Sequence, residues 1–212
     1  MKWSEKLIGR TLAMHVFNRK YLLVVPNCNW TGEECDLFCV TENLRIIDVE
    51  IKISRSDFKA DLEKDKWYHS WDWRKDGPWN GQVDNSKRRV REWPKKVWKH
   101  YYAMPKEIWK PEFMSILPPK SGLILLTKTE TGLIYASMRK RAVPNRTAKQ
   151  ITAEDAIDIS RLATLRMWNA IEDVHILKTQ LKEKENEEKR RAGLRDVQEG
   201  TSVTEQAGQA ST

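Results

Sequence analysis

The sequence is poor in the residues that form disulfide frameworks, zinc sites and histidine-based active sites. Its 212 residues include three cysteines and four histidines. A secreted disulfide framework favours an even number of cysteines, and Cys28, Cys35 and Cys39 contain no CxxC pair of the kind found in zinc sites. We therefore interpret the cysteines as small buried side chains, and we predict no catalytic role for the scattered histidines.

Long apolar runs and a signal peptide are missing as well. No stretch approaches the roughly 18 consecutive apolar residues of a membrane span. The residues after Met1 lack the apolar core of a secretory signal peptide. Because 40% of the residues are hydrophobic, the chain has enough apolar side chains to build a core. These features predict a folded cytoplasmic protein that does not enter a membrane.

Positive charge is what the sequence has in excess. The formal net charge is +8 and the pI is about 9.3. This balance indicates a polyanionic partner, with nucleic acid as the first candidate and an anionic surface as the second.

Much of the positive charge lies in a tryptophan-rich insertion at about 70–97. Its basic side chains suit phosphates and its rings suit unpaired bases, which predicts a clamp for DNA, including branched or single-stranded DNA. The alternative is that the tryptophans pack a small subdomain with the basic side chains on its surface. The predicted DNA contacts, two of them before the insertion, are Arg55, Lys59, Trp73, Arg74, Trp79, Lys87, Arg88, Arg89, Arg91, Lys95 and Lys96.

Hydrophobic periodicity predicts an α/β domain at residues 1–145. The predicted elements are helix 4–17, strands 21–25, 35–40 and 44–53, helix 56–69, strand 100–104, and a hairpin of 122–127 and 133–137. Residues 150–181 are predicted to form a long amphipathic helix, which begins at a capping box of Thr152 and Asp155. Residues 182–212 are predicted to be a charged segment that ends in a disordered tail.

Charged residues on two adjacent predicted strands are the main functional signal. The chain reverses near Asn43, and Asp36 and Glu50 each lie seven residues from that turn. They are therefore predicted cross-strand neighbours, with Cβ atoms about 5 Å apart and with Lys52 on the same face as Glu50. Two carboxylates so close repel each other unless a cation lies between them. The other face of the second strand is predicted to be apolar: Ile47, Val49, Ile51 and Ile53.

A hard divalent cation satisfies this condition. Mg²⁺, or Mn²⁺ in its place, is often held by one or two carboxylates together with water and phosphate. Asp36 and Glu50 are the predicted ligands, and the backbone carbonyl of Ile51 is a further oxygen donor. Lys52 is predicted to orient or deprotonate water, or to neutralise charge that develops on a phosphate. The structural alternative is that the carboxylates simply pair with Lys52 or an arginine.

Asp36, followed by Glu50-Ile51-Lys52, resembles the Asp…(Asp/Glu)-x-Lys signature of the PD-(D/E)XK nuclease superfamily. The runs Ile51–Asp61 and Tyr101–Pro105, with Pro118-Pro119 and Gly122-Leu123-Ile124 after them, are similar to small bacterial and phage proteins of the MmcB type, which act in DNA repair. One departure is that Cys35 stands where the superfamily has a proline.

The resemblance implies a restriction-endonuclease-like αβββαβ core, with a mixed central sheet flanked by helices. It also implies a Mg²⁺-dependent deoxyribonuclease. An acidic residue on the first helix often completes the metal site in this superfamily, and Glu5 is the residue that matches.

Three functions stay open. The first is a metal-dependent DNA endonuclease or exonuclease in repair, recombination or phage DNA metabolism. The second is a nucleic-acid-binding protein of the same fold that does not cleave. The third is an adaptor that docks on a partner protein, or on a second copy, through the C-terminal helix.

Overall fold

The order of elements follows the hydrophobic pattern of the sequence. The computed structural model describes residues 2–69 and 90–208, with only the backbone described for 191–208. In chain order the elements are helix α1 (Glu5–Thr11), a π-helical segment (Leu12–Phe17), strands β1 (Leu23–Cys28), β2 (Cys35–Val40) and β3 (Ile46–Ile51), helix α2 (Arg55–Asp61), a 3₁₀ turn (Asp65–Trp67), strand β4 (Lys99–Pro105), a 3₁₀ turn (Pro111–Met114), strands β5 (Gly122–Lys128) and β6 (Ile134–Lys140), and helix α3 (Ala153–Gly208).

The strands form one mixed sheet in the order β1-β2-β3-β4-β5-β6. Neighbours among β1, β2 and β3 are antiparallel, β4 is parallel to both β3 and β5, and β6 is antiparallel to β5. Gly122 of β5 lies opposite Tyr101 of β4, where an added Cβ would collide with the tyrosine ring. The predicted α/β class with a mixed sheet and a C-terminal helix is therefore confirmed.

An apolar core covers each face of the sheet. On one face, Ile8 of α1 packs in a buried cluster with Ile47, Val49 and Ile51 of β3. The predicted apolar face of the strand is thus confirmed for these three isoleucine and valine residues. Ile53 is 38% exposed, so the prediction is wrong there, because β3 ends at Ile51 and the alternation ends with it.

The opposite face is covered by α2 and the turn that follows it. Phe58 and Trp67 pack there against Tyr102 and Met104 of β4. The predicted burial of the cysteines is also confirmed, since all three are free and buried.

Side-chain caps set where the helices begin. The Ser4 hydroxyl accepts a hydrogen bond from the Leu7 N–H, and the Ser54 hydroxyl accepts one from the Asp57 N–H. The predicted capping box at α3 is confirmed, because Thr152 and Asp155 exchange backbone and side-chain hydrogen bonds.

The predicted helix 56–69 is wrong in length. The helix α2 ends at Asp61 and the 3₁₀ turn Asp65–Trp67 follows. In a continuous α-helix, residues five positions apart would lie about 140° apart around the axis, so Lys66 would point away from Asp61. The break instead brings Lys66 Nζ to 3.1 Å from Asp61 Oδ1. The end of the helix at Asp61 therefore allows Lys66 and Asp61 to form a buried ion pair.

The chain divides into two compact units, Met1–Arg161 and Leu162–Thr212. Helix α3 continues to Gly208, beyond the predicted end at 181, so the segment predicted as charged and disordered is helical that far. Its many Glu, Lys, Arg and Ala residues are good helix formers. Among the described helices, none has the length and the apolar composition needed to cross a membrane.

Candidate active site

The predicted pair of carboxylates lies at one end of β2 and β3. These strands pair antiparallel with Leu37 opposite Val49, and the next step of the register places Asp36 opposite Glu50. Directly opposed residues point to the same face of a sheet. The strand register therefore agrees with the predicted cross-strand neighbours.

The side chain of Asp36 is hydrogen-bonded to the backbone of β3. Its Oδ2 accepts a hydrogen bond of 2.6 Å from the Ile51 N–H. Burial, and next the negative charge of Glu50, raise the pKa of Asp36 to about 6, against the opposing effects of this hydrogen bond and of Lys52. The exposed Glu5 at the start of α1 also contributes to raising the pKa of Asp36. The first-helix carboxylate is therefore within electrostatic reach of Asp36.

Glu50 is the centre of a buried network of charges. Its Oε2 lies 3.0 Å from Lys52 Nζ, and its Oε1 lies 2.8 Å from Lys66 Nζ. Both lysines also contact Asp61, Lys52 at 3.1 Å and Lys66 at 3.0 Å. None of these four side chains is more than 4% exposed. Two positive and two negative groups thus compensate one another almost without solvent.

The phenol of Tyr102 adds a hydrogen bond to this network. Its hydroxyl donates to Asp61 Oδ2 at 2.7 Å. Burial alone would raise the pKa of Asp61, but Lys66 and Lys52 hold it well below its usual range. Burial alone would lower the pKa of Lys52, but Glu50 and Asp61 outweigh burial and raise it. Asp61 and Lys52 are therefore charged at neutral pH.

A second polar pair lies beside the network. Asp48 of β3 and His100 of β4 are opposite each other in the parallel pair, and both are buried. Burial, and next the charge of Glu50, raise the pKa of Asp48 to about 8, while burial lowers the pKa of His100 well below its usual value. The 3.8 Å contact between His100 Nε2 and Asp48 Oδ2 therefore joins two groups that are mostly neutral at pH near 7. The other ring nitrogen, His100 Nδ1, lies 2.9 Å from the Ser121 hydroxyl.

The donor atoms at the edge formed by Asp36 and Glu50 have the chemistry that a magnesium ion uses. The N–H and C=O of a residue in an extended strand face the same neighbour, so the Ile51 carbonyl, like its N–H, faces Asp36. Two carboxylates and a carbonyl suit Mg²⁺, which usually completes its shell with water or phosphate. No group of three or more Asp, Glu, His or Cys side chains within 2–69 and 90–190 is arranged to hold a metal ion. The donors fit a site with two carboxylates, in which Lys52 and Lys66 compete for Glu50.

The predicted DNA contacts divide into three sets. The first set lies outside the described residues: Trp73, Arg74, Trp79, Lys87, Arg88 and Arg89. The second set is exposed on the surface: Lys59, Lys95 and Lys96. The residues of the third set make hydrogen bonds within the fold, through the side chain or the backbone. Arg55 donates hydrogen bonds to the carbonyls of Ile108 and Glu107, and Arg91 is partly buried, with its backbone N–H bonded to the Trp67 carbonyl.

Sequence reasoning missed Asp61 and Lys66 as members of the site. Both lie in a run of charged residues, from Asp61 to Lys66, that is typical of a solvent-exposed helix. The signal that could have found them is the adjacent Trp67. The Trp67 side chain is only 3% exposed. Its packing on the sheet places the neighbouring backbone against the sheet and the adjacent Lys66 in the interior.

Lys66 and Lys64 offer a matched test of the network, because both contact Asp61 but only Lys66 is buried. Lys64 Nζ lies 3.0 Å from Asp61 Oδ1, yet its side chain is 54% exposed. We expect Lys66→Met to lower the free energy of unfolding by about 3 kcal/mol or more, since it leaves buried negative charge uncompensated. Lys64→Met should cost less than about 1 kcal/mol. Urea denaturation at neutral pH measures both, and equal losses would contradict the network.

Asp48 should make the stability depend on pH. Its pKa rises from 3.8 to about 8 on folding, so between these values the folded state keeps a proton that the unfolded state has released. The resulting stability is present at low pH and is lost as the pH rises through about 8. We expect Asp48→Asn, which has no such proton to lose, to gain stability relative to the wild type from about pH 6 to about pH 8, by at most about 1.4 kcal/mol per pH unit. Guanidinium denaturation with a chelator present measures this, and a difference that stays constant with pH would refute it.

No family model and no curated protein matches this chain. Among solved structures, a protein of unknown function from Silicibacter pomeroyi is similar, with 16% sequence identity and a TM-score of 0.46, over 81% of this chain and 91% of that chain.

Proposed function

We propose that the protein is a Mg²⁺-dependent nuclease that hydrolyses phosphodiester bonds in DNA. The observation that carries the proposal is the placement of three side chains on one face of the sheet. The strand register puts Asp36 opposite Glu50, and the Lys52 ammonium lies 3.0 Å from Glu50. Two carboxylates beside a lysine supply ligands for a hard cation and a positive charge for a phosphate.

Each residue has a role in this proposal. Asp36 and Glu50 would hold the metal ion, with the Ile51 carbonyl as a further donor and Glu5 as the carboxylate of the first helix. Bound Mg²⁺ supplies a Lewis acid and lowers the pKa of water. Lys52, whose positive charge is stabilised by Glu50 and Asp61, would neutralise charge that develops on the phosphate.

The order and pairing of the elements support the proposal. From α1 to β4 the chain forms a helix, three strands, a helix and a strand. The first three strands are antiparallel, and β4 is parallel to β3. This is the αβββαβ order that the resemblance to the PD-(D/E)XK superfamily implies, with the Glu-x-Lys motif on and just after the third strand. The net charge of +8 is suited to a DNA substrate.

The lysine contacts favour a second candidate, a nucleic-acid-binding protein that does not cleave. Lys52 and Lys66 engage both carboxylate oxygens of Glu50, and the Ile51 N–H engages one oxygen of Asp36. A metal ion has to displace one lysine contact to reach Glu50. In a protein that only binds DNA, the same network would serve the stability of the fold alone.

Cleavage of labelled DNA separates these two candidates. The substrates are linear, nicked, single-stranded and branched DNA, each with Mg²⁺ or Mn²⁺. We expect the wild type to cut at least one substrate, and Glu50→Gln and Asp36→Asn to cut it at least about 100-fold more slowly, because each removes a charge at the reacting centre.

The matched control is Glu63→Gln, which neutralises an exposed carboxylate just after α2 and should cut like the wild type. If Glu50→Gln and the wild type cut alike, hydrolysis at this site is wrong. If the wild type binds every substrate and cuts none, the second candidate replaces the first.

We also propose that α3 pairs with the same helix of a second copy of this chain. The helix would then act as the docking element that the sequence predicts. Its large apolar residues between 162 and 181 are 39–60% exposed: Leu162, Leu165, Met167, Trp168, Ile171, Val174, Ile176, Leu177 and Leu181. Successive residues turn by about 100°, so these side chains lie around the whole helix and not on the single face that an amphipathic helix would have. A helix that is apolar on all sides is normally buried. Residues 182–190 carry acidic and basic side chains in equal number, which suits pairing with an identical helix.

Light scattering on the purified full chain tests this association. The chain has a mass of 24.9 kDa, and we expect the wild type to have at least twice that mass in solution. Leu165→Glu combined with Ile171→Glu should give the monomer mass, because two charges would be buried without partners. The control Asn186→Glu, which adds a charge at an exposed position of the same helix beyond the apolar stretch, should associate like the wild type. A monomeric wild type would refute the proposal.

A further inference from the structure

A basic cleft lies at the other end of β3 from Glu50. It has a volume of about 360 Å³ and is lined by Arg19, Lys20, Thr41, Glu42, Asn43, Arg45 and Trp98; we call it the Trp98 cleft. Three of the described lining residues are cationic and one is acidic. Arg45 stands directly before β3, and Glu50 is five residues further along, so at about 3.3 Å per residue the two are about 16 Å apart. The Trp98 cleft is therefore distinct from the candidate active site.

Two further cations belong to the same cluster. Lys99 Nζ lies 4.4 Å from the ring centre of Trp98, and the guanidinium carbon of Arg45 lies 5.7 Å from it. Burial lowers the pKa of Lys99, and the charges of Lys20 and Arg141 lower it further. Arg141, which follows β6, is therefore within electrostatic reach of Lys99. Positive charge from separate segments of the chain thus converges beside Trp98.

Hydrogen bonds to backbone carbonyls hold the cleft in place. Arg45 Nη1 donates to the Ala148 carbonyl at 2.9 Å, and the Ile151 N–H donates to the Leu44 carbonyl at 2.9 Å. The Asn145 N–H donates to the Trp98 carbonyl at 2.7 Å. The turn before β3 and the residue before β4 are therefore both tied to the segment 145–151. A surface held in this way loses little freedom when a ligand binds.

We propose that the Trp98 cleft binds the phosphodiester backbone of DNA. The choice of polyanion rests on the proposed function, whereas the site itself rests on the converging cations. Arg45 and Lys99 both lie over the Trp98 ring, where cation–π contacts hold them. The ring therefore positions the cations, and binding of DNA here does not require a base to stack on Trp98. Contacts to phosphates carry no sequence information. The cleft would thus bind any sequence, and its distance from Glu50 corresponds to about four or five base pairs.

Fluorescence anisotropy with two labelled duplexes of unrelated sequence tests this inference. A chelator is present, so that cleavage plays no part. The test variant combines Arg19→Gln and Lys20→Gln, which are both exposed. The control combines Arg10→Gln and Lys106→Gln, which removes the same charge from exposed positions outside both the cleft and α3. A second test variant, Lys99→Gln, reports on the cluster from a different element.

We expect the test variant to bind both duplexes about tenfold more weakly than the wild type, and by the same factor. The slope of log affinity against log salt should become shallower by about two, because each phosphate contact contributes about 0.9. The control should lose less than about threefold, and Lys99→Gln should weaken binding in the same direction as the test variant.

Three results would overturn the proposal. The first is a test variant that binds like the control, and the second is a wild type that binds neither duplex. The third is a test variant that loses affinity for phosphatidylserine vesicles but not for DNA, since the cleft would then serve an anionic membrane surface. Failure of the nuclease proposal has a different readout, namely cleavage that is unaffected by Glu50→Gln, so the two outcomes are distinguishable.

Discussion

Two lysines and two carboxylates are buried together against the sheet: Lys52, Lys66, Glu50 and Asp61. The positions of α2 and of the turn after it relative to β3 depend on the contacts among these four side chains. Moving one such charge out of water costs several kcal/mol, which only close opposite charges and hydrogen bonds offset. If α2 or the turn after it shifted relative to β3, at least one charge would lose its partners. The network therefore fixes this face of the sheet more strictly than apolar packing alone, which tolerates small adjustments.

The same network gives the two carboxylates of the candidate site different environments. Glu50 faces the interior, and both of its oxygens are engaged by lysines. Asp36 is less buried, has a raised pKa, and is held by one backbone hydrogen bond. Asp36 is thus the carboxylate that is more open to solvent and to a ligand. Any cation that joins the two has to compete with the lysines for Glu50 but gains by relieving the repulsion on Asp36.

The two ends of strand β3 lie beside charges of opposite sign. Its C-terminal end carries Glu50 next to Asp36 of the neighbouring strand, and its N-terminal end adjoins the cations of the Trp98 cleft. The carboxylates and the cations of the cleft are therefore kept about 16 Å apart along β3. This separation prevents the cations from neutralising the carboxylates directly.

The sequence by itself determined the α/β class, the two faces of β3 and the opposition of Asp36 and Glu50. These features depend on local alternation and on the length of one turn, and both can be counted along the chain. Only the tertiary structure decided that Asp61 and Lys66 join Glu50 and that the helix α2 stops early. The charged run that contains them has the pattern of a solvent-exposed helix, and its inward turn depends on Trp67 packing against β4, a contact between residues far apart in sequence. The Trp98 cleft has the same origin, because its cations come from separate segments that only the folded sheet brings together.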